Sequence, residues 1–192
     1  MVQRPVGVLE PLPLTIVRPG KVAALQGAPG TGVSVVEAGF LWASVVATDG
    51  RRLVLDVLGP GDAVGMPEGE EAPCEIRAAS PVRLRGVRGH DAEAALAARH
   101  RRDVLLALEL ARTSAAERVE RRLLDLAARV GRPAPGGARI PLLITQDDLA
   151  GLAATSRETA NRAVRRLLRD GRLEMERRGR YVVRQQLRLV ED

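Results

Sequence analysis

Residues 144–169 read ITQDDLAGLAATSRETANRAVRRLLR, and two short helices joined by a tight turn can be traced through them. Thr145 with Asp148 three residues later is a capping-box start, in which hydroxyl and carboxylate satisfy N–H groups that a helix end leaves orphaned. Leu149, Leu152 and Ala153 supply a short apolar stripe. Ala154-Thr155 turns the chain, and Ser156 is a good N-cap for the next helix. This is the pattern of a helix-turn-helix unit.

The second helix has two chemically distinct faces. At about 100° per residue from Arg157, the residues Ala160, Val164, Leu167 and Leu168 fall within an arc of roughly 100°. That arc is the expected core side. Glu158, Asn161, Arg162, Arg165, Arg166 and Arg169 occupy a separate arc, with Arg157 at its edge in the first turn. An Arg fork matches the O6 and N7 acceptors of guanine, and a Glu accepts from the N4 amino group of cytosine. The N-terminal residues of a recognition helix reach base edges, so Arg157, Glu158 and Arg162 are the candidate base contacts. Arg165, Arg166 and Arg169 lie further along, where phosphate is the nearer target. The competing reading is a solvated face knit by an i,i+4 pair such as Glu158–Arg162. Asp170-Gly171 then ends the helix at a glycine C-cap. Leu173 to Glu176 and Tyr181 to Val183 flank Arg177-Arg178-Gly179-Arg180, a hairpin with a basic tip and hence a wing.

Upstream, Gly131 to Ala138 reads as a loop and Ile140 to Ile144 as a short apolar strand. Residues 91–130 hold no Gly or Pro and are rich in Ala, Leu, Arg and Glu, the strong helix formers. Val104, Leu108, Ala111 and Ala115 follow helical spacing, as do Val119, Leu123, Leu126 and Val130. Arg112-Thr113-Ser114 marks a break, with Ser114 capping a second helix. The first helix is apolar enough to need a partner, either its own domain or a second subunit. Before residue 90, Gly and Pro punctuate β-prone runs at Val33–Val36, Leu41–Ala47, Leu53–Leu58 and Val82–Val87, the pattern of a small antiparallel sandwich or barrel. Asp49-Gly50 is a hairpin turn signal.

Composition narrows the function class. The 192 residues are 45% hydrophobic, enough for a real core, and carry a formal charge of +6 in which Lys21 is the only lysine. Arginine suits phosphate and base recognition. The lone Cys74 excludes an intrachain disulfide, an iron–sulfur cluster and a cysteine-rich zinc site. His90 and His100 read as solvated helix residues. Apolar runs such as Val104–Leu108 are far too short to span a bilayer. Met1–Leu14 has no basic segment followed by an apolar one, so a cytoplasmic protein is expected. No nucleophile–base pair, P-loop or metal set is present, so neither an enzyme nor a cofactor is expected.

With these residues in hand, the C-terminal part resembles the Crp/Fnr family of regulators. The likeness runs from the helix signature Glu117-Arg118-Val119-Glu120-Arg121-Arg122-Leu123-Leu124-Asp125-Leu126-Ala127 to the wing, centred on Ser156-Arg157-Glu158-Thr159 and Arg162. The resemblance implies that Arg157, Glu158 and Arg162 read bases in a TGTGA-like half-site. It implies phosphate contacts from Thr145, Ser156 and Thr159; Gln146, Arg165, Arg178 and Arg180 complete the expected backbone-contacting set. Val57-Leu58-Gly59-Pro60-Gly61-Asp62-Ala63-Val64-Gly65 resembles the turn of the family's cyclic-nucleotide-binding β-roll. Three departures follow. Met66 stands where the family places a ribose-binding Glu, Ala72-Pro73 where it places Arg-Ser for the cyclic phosphate, and Asp103-Val104 where it places an adenine-contacting Thr or Ser. The cluster cysteines of the oxygen-sensing branch are also missing.

The expectation is an α+β chain: a β-roll (jelly roll) over 1–90, a dimerisation helix over 91–113 and a winged helix-turn-helix over 114–192. It would act as a homodimer on double-stranded DNA, at a near-palindromic promoter site, independently of cyclic AMP and with no membrane. RNA polymerase is the partner through which the family usually activates. The alternatives are a regulator with a non-standard nucleotide or small-molecule pocket in the roll, and a winged-helix protein–protein module.

Overall fold

The computed structural model describes residues 14–46, 48 and 52–184, with Arg52 described by its backbone alone. Eight strands come first: β1 (Leu14–Val17), β2 (Val22–Ala24), β3 (Gly32–Ala38), β4 (Leu41–Val46), β5 (Arg52–Leu58), β6 (Ala63–Met66), β7 (Glu75–Ala78) and β8 (Val82–Val87). The chain crosses repeatedly between two four-stranded sheets, ordered β1-β8-β3-β6 and β2-β7-β4-β5, which gives the expected β-roll. In β8, Val82 and Leu84 are buried while Arg83 and Arg85 are exposed, the period-2 alternation of a strand with one wet face. Val36, Leu41, Leu58, Ile76 and Val82 meet in the core of the roll. Gly39 (φ +85°) turns β3 into β4, and a Cβ there would stand 2.1 Å from the Pro81 carbonyl oxygen. The anticipated Asp49-Gly50 turn lies outside the described residues, but the strands on either side pair in antiparallel register, Ser44 opposite Val54.

A 24-residue helix follows, α1 (Gly89–Arg112). Its apolar packing on the roll lies near its start, where Ala92, Ala95 and Leu96 meet Val33, Ala63 and Val87, and Arg99 and Arg102 extend the contact to its middle. The break is where the sequence puts it. Ser114 caps α2 (Ala115–Val130) in a full capping box with Glu117, and the hydrogen bond from the Ser114 backbone holds the Glu117 carboxyl below the usual glutamate range.

The segment before the helix-turn-helix departs from expectation. Residues 131–138 do not form a plain loop but begin a hairpin, β9 (Arg132–Ala134) and β10 (Gly137–Arg139). Ile140 to Ile144 is not a strand. Pro141 has no N–H to give to a ladder, and only Ile140 and Ile144 reach the neighbouring chain, donating to the carbonyls of Tyr181 and Gly179 at 2.9 and 2.7 Å. The segment remains extended in its burial pattern, with Ile140, Leu142 and Ile144 inside and Leu143 outside.

Two helices, α3 (Gln146–Leu152) and α4 (Arg157–Arg169), and a hairpin, β11 (Leu173–Arg177) and β12 (Arg180–Arg184), complete the chain. Their core is shared with the roll. Leu123 and Leu126 of α2, Leu149 of α3, Val164 and Leu167 of α4, and Tyr181 of β12 join Val54 and Val57 of β5 in one buried cluster. Gly151 permits this docking, because a Cβ there would lie 2.8 Å from the Val54 nitrogen. The first helix of the helix-turn-helix is thus seated directly on the roll.

Candidate nucleic-acid interface

The turn between α3 and α4 is built by backbone geometry and by arginines reaching in from α2. Thr155 N donates to the Ala150 carbonyl at 2.9 Å and Ala154 N to that of Gly151 at 3.0 Å, a Schellman-type helix end. Ala154 occupies its left-handed position at φ 44°, where glycine is the usual occupant. Arg118 donates to the carbonyls of Ala153 (2.7 Å) and Ala154 (3.2 Å), and the buried Arg122 to that of Leu152 (2.9 Å). These bonds satisfy carbonyls that the end of α3 leaves unpaired. Left-handed geometry costs an L residue about 1–2 kcal/mol, whereas glycine costs about 0.5–1 kcal/mol in chain entropy. Ala154→Gly is therefore expected to stabilise the protein by roughly 0.5–1 kcal/mol, read as a raised denaturation midpoint. A lowered midpoint would contradict the strain argument.

In α4, Ala160, Ala163, Val164 and Leu167 are buried and Leu168 is half-buried, as the helical wheel requires. Arg157, Glu158, Arg162, Arg165, Arg166 and Arg169 are all exposed. Ser156 caps the helix by accepting from Thr159 N at 3.2 Å, and its hydroxyl lies 3.1 Å from that of Thr159. Arg162 donates to Thr159 Oγ1 at 3.1 Å; among the described residues no ion pair joins it to Glu158. Arg157 stands 3.5 Å from Asp147 in an exposed pair, a contact worth little in water.

The remaining candidates gather around the same surface. Thr145 caps α3 through Asp148, and the neighbouring Gln146 donates to Asn161 at 3.2 Å, tying the start of α3 to α4. Because Ile144 N bonds the Gly179 carbonyl, the wing tip abuts the residue before Thr145, and exposed Arg178 and Arg180 flank that point. The start of α3, the first turns of α4 and the wing tip therefore share one arginine-rich face. All ten candidate residues lie on these three elements, and none of them is buried.

Behind this face, an ionic cluster that sequence reasoning did not single out joins roll, α1 and α2. Asp56 of β5, nearly buried, faces Arg129 of α2 at 2.8 Å and Arg102 of α1 at 3.2 Å. Asp62 caps the turn at Gly59 N (2.8 Å) and bonds Arg102 as well. Burial works against the Arg129 charge, but Asp56, Asp125 and Asp62 outweigh it and raise its pKa above the ordinary arginine value. A separate charged anchor of α2 did leave a sequence signal: Arg122, which pairs with Glu109 of α1, lies three residues after Val119 and four before Leu126, inside the apolar stripe.

Comparison with known proteins fits this geometry. Residues 117–191 match the Crp-like helix-turn-helix domain family, and residues 14–99 match the cyclic nucleotide-binding domain family. A CRP-like cAMP-activated global transcriptional regulator of Mycobacterium tuberculosis is 30% identical over 174 residues, covering 82% of this chain and 78% of that protein. The chain belongs to the Crp/Fnr family of transcription regulators. Solved structures with the same fold include a CRP/FNR-family transcriptional regulator from Thermus thermophilus (TM-score 0.77, 23% identity, 90% of this chain and 94% of that one). Another is FixK2 from Bradyrhizobium japonicum (TM-score 0.76, 23% identity, 91% and 93%).

This Crp/Fnr regulator has a cavity of about 760 Å³ where the roll, α1 and the helix-turn-helix meet. Gly65 of the family-like turn lines it, as do Met66, Ala72 and Pro73, where the sequence reading places departures from the family's nucleotide-binding residues. Arg77, the nearest arginine along β7, is committed elsewhere: it forks onto Glu75 and donates to the Gly20 carbonyl. Among the described residues no helix is long and apolar enough to cross a membrane.

Proposed function

We propose that the protein is a homodimeric, sequence-specific regulator that reads a near-palindromic promoter site with TGTGA-like half-sites, without requiring cyclic AMP. The observation that carries this reading is the outward first half of α4, where two guanidinium forks and a carboxylate, Arg157, Arg162 and Glu158, project from a helix whose other face is core. Those groups match guanine and cytosine edges in the major groove. Thr145, Gln146, Ser156, Thr159, Arg165, Arg178 and Arg180 hold phosphates around it and fix the register. Activation would proceed through contact with RNA polymerase.

Dimerisation rests on α1. None of its residues is buried within one chain. Val104, Leu105 and Leu108 lie exposed, centred roughly 160° around the helix from Leu96, Asp103, Leu106 and Leu110, which face the cavity. Pairing this outer face with the same face of a second copy gives two recognition helices about one DNA turn apart. Roll (1–90), dimer helix (91–113) and reading unit (114–192) are the working parts. Independence from cyclic AMP is supported by Ala72-Pro73, which offers a cyclic phosphate neither a guanidinium nor a proline N–H.

Selection of bound sequences from random DNA tests site and symmetry together: an inverted repeat is expected, and an unpaired or random output overturns the reading. Arg180→Ala separates positioning from reading. It should weaken cognate and scrambled DNA alike and lower the salt slope by about 1. A loss confined to the cognate sequence would remove Arg180 from the phosphate set.

A further inference from the structure

We propose that the interdomain cavity binds an uncharged, predominantly hydrocarbon small molecule, which acts on DNA binding by touching the first helix of the helix-turn-helix. The walls are set by Leu53 and Leu55 of β5, Met66, Ile76, and Leu96 and Leu106 of α1. Leu53 and Leu55 are 45% and 40% exposed although they stand beside the core, because their side chains face this space. Apolar walls and a volume of about 760 Å³ fall in the range of small-molecule sites.

The charges on the wall argue against a phosphate. Asp56, Glu70 and Asp103 oppose Arg99 and Arg122, and each arginine is already engaged. Arg99 donates to the Ala63 carbonyl and pairs with Asp103, and Arg122 donates to the Leu152 carbonyl and pairs with Glu109. Beyond these two guanidiniums the wall offers an anion only the imidazole of His100, so most of its lost hydration would go unreplaced, whereas a hydrocarbon surface gains by leaving water.

Gly151, Leu152 and Ala154 line the far end of the cavity. A molecule filling it therefore touches roll, α1 and α3 at once and bears on the seat from which α4 is presented. This coupling rests on the reading of α4 as the DNA-binding helix; the cavity and its ligand class do not.

The test is a fluorescence titration of the full-length protein with N-phenyl-1-naphthylamine, an uncharged aromatic hydrocarbon amine, with and without target DNA. Saturable binding of one probe per chain is expected. Leu55→Glu, which sets a charge on the wall, and Ala107→Trp, which fills space from α1, should each weaken the probe at least tenfold while keeping the wild-type far-ultraviolet dichroism. Saturating probe should change DNA affinity at least threefold, and DNA should change probe affinity by the same factor. Absence of saturable binding, wild-type affinity in both variants, or displacement by micromolar cyclic AMP overturns the ligand class. An unchanged DNA affinity overturns the coupling. DNA retardation without probe reads the proposed function separately, so the two cannot fail under one guise.

Discussion

Replacing Arg162 with alanine is expected to cost about 1–3 kcal/mol on the cognate site, or roughly 5- to 150-fold in affinity, and nearly nothing on scrambled DNA. The guanidinium is exposed, and among the described residues Thr159 alone orients it and no carboxylate neutralises it. Its removal therefore leaves the fold intact and deletes a bidentate contact. The loss should come with relaxed selection at one base pair per half-site. Gel retardation on matched and scrambled duplexes at fixed salt measures both. A loss equal on the two duplexes would make Arg162 a phosphate contact, and no loss on either would sink the base-reading role. Arg157→Ala, whose side chain shares an exposed pair with Asp147, is expected to behave in the same way at a different position.

Asp56→Ala is expected to be the most damaging single change outside the apolar core, at about 3–5 kcal/mol. Asp56 faces two guanidiniums, Arg102 and Arg129, at the junction of three elements, and it also accepts from Val57 N at 2.8 Å. Deleting it leaves both cations partly buried against one remaining carboxylate, Asp62, with Asp125 serving Arg129 at its rim. The magnitude reflects that uncompensated burial rather than any large net gain from the pairs themselves, since buried ion pairs roughly offset their own desolvation. Urea denaturation of the wild type and the variant gives the number, and a cost below about 1 kcal/mol would show the cluster to be well hydrated.

How much of this was legible beforehand varied with the distance over which each feature is determined. The caps at Ser114, Thr145 and Ser156 and the two-faced α4 depend on residues within a turn or two of one another, and all appear where the residues place them. The strands β1, β2, β6 and β7 were not singled out. They are three or four residues long, too short to show a period, and their pairing is set by partners far along the chain. Pro141 was the overlooked local signal that keeps Ile140–Ile144 from being a strand, and Pro135-Gly136 the one that turns β9 into β10. The candidate base contacts were readable because Arg157, Glu158 and Arg162 lie within two turns of one helix. The cluster at Asp56 was not, because its members come from positions 56, 62, 102, 125 and 129 and meet only in three dimensions.

The way α2 holds the α3–α4 turn limits how this reading head could be moved to another scaffold. Its corner has alanine where a self-sufficient bend would carry glycine, and the carbonyls at that corner are held by Arg118 and Arg122 from outside. A graft cut at Gly131 would leave both clamps behind and transplant a bend held by its two backbone hydrogen bonds alone, with a strained alanine at its corner. The smallest portable piece begins at Ser114, where the capping box starts a helix that brings the clamps with it.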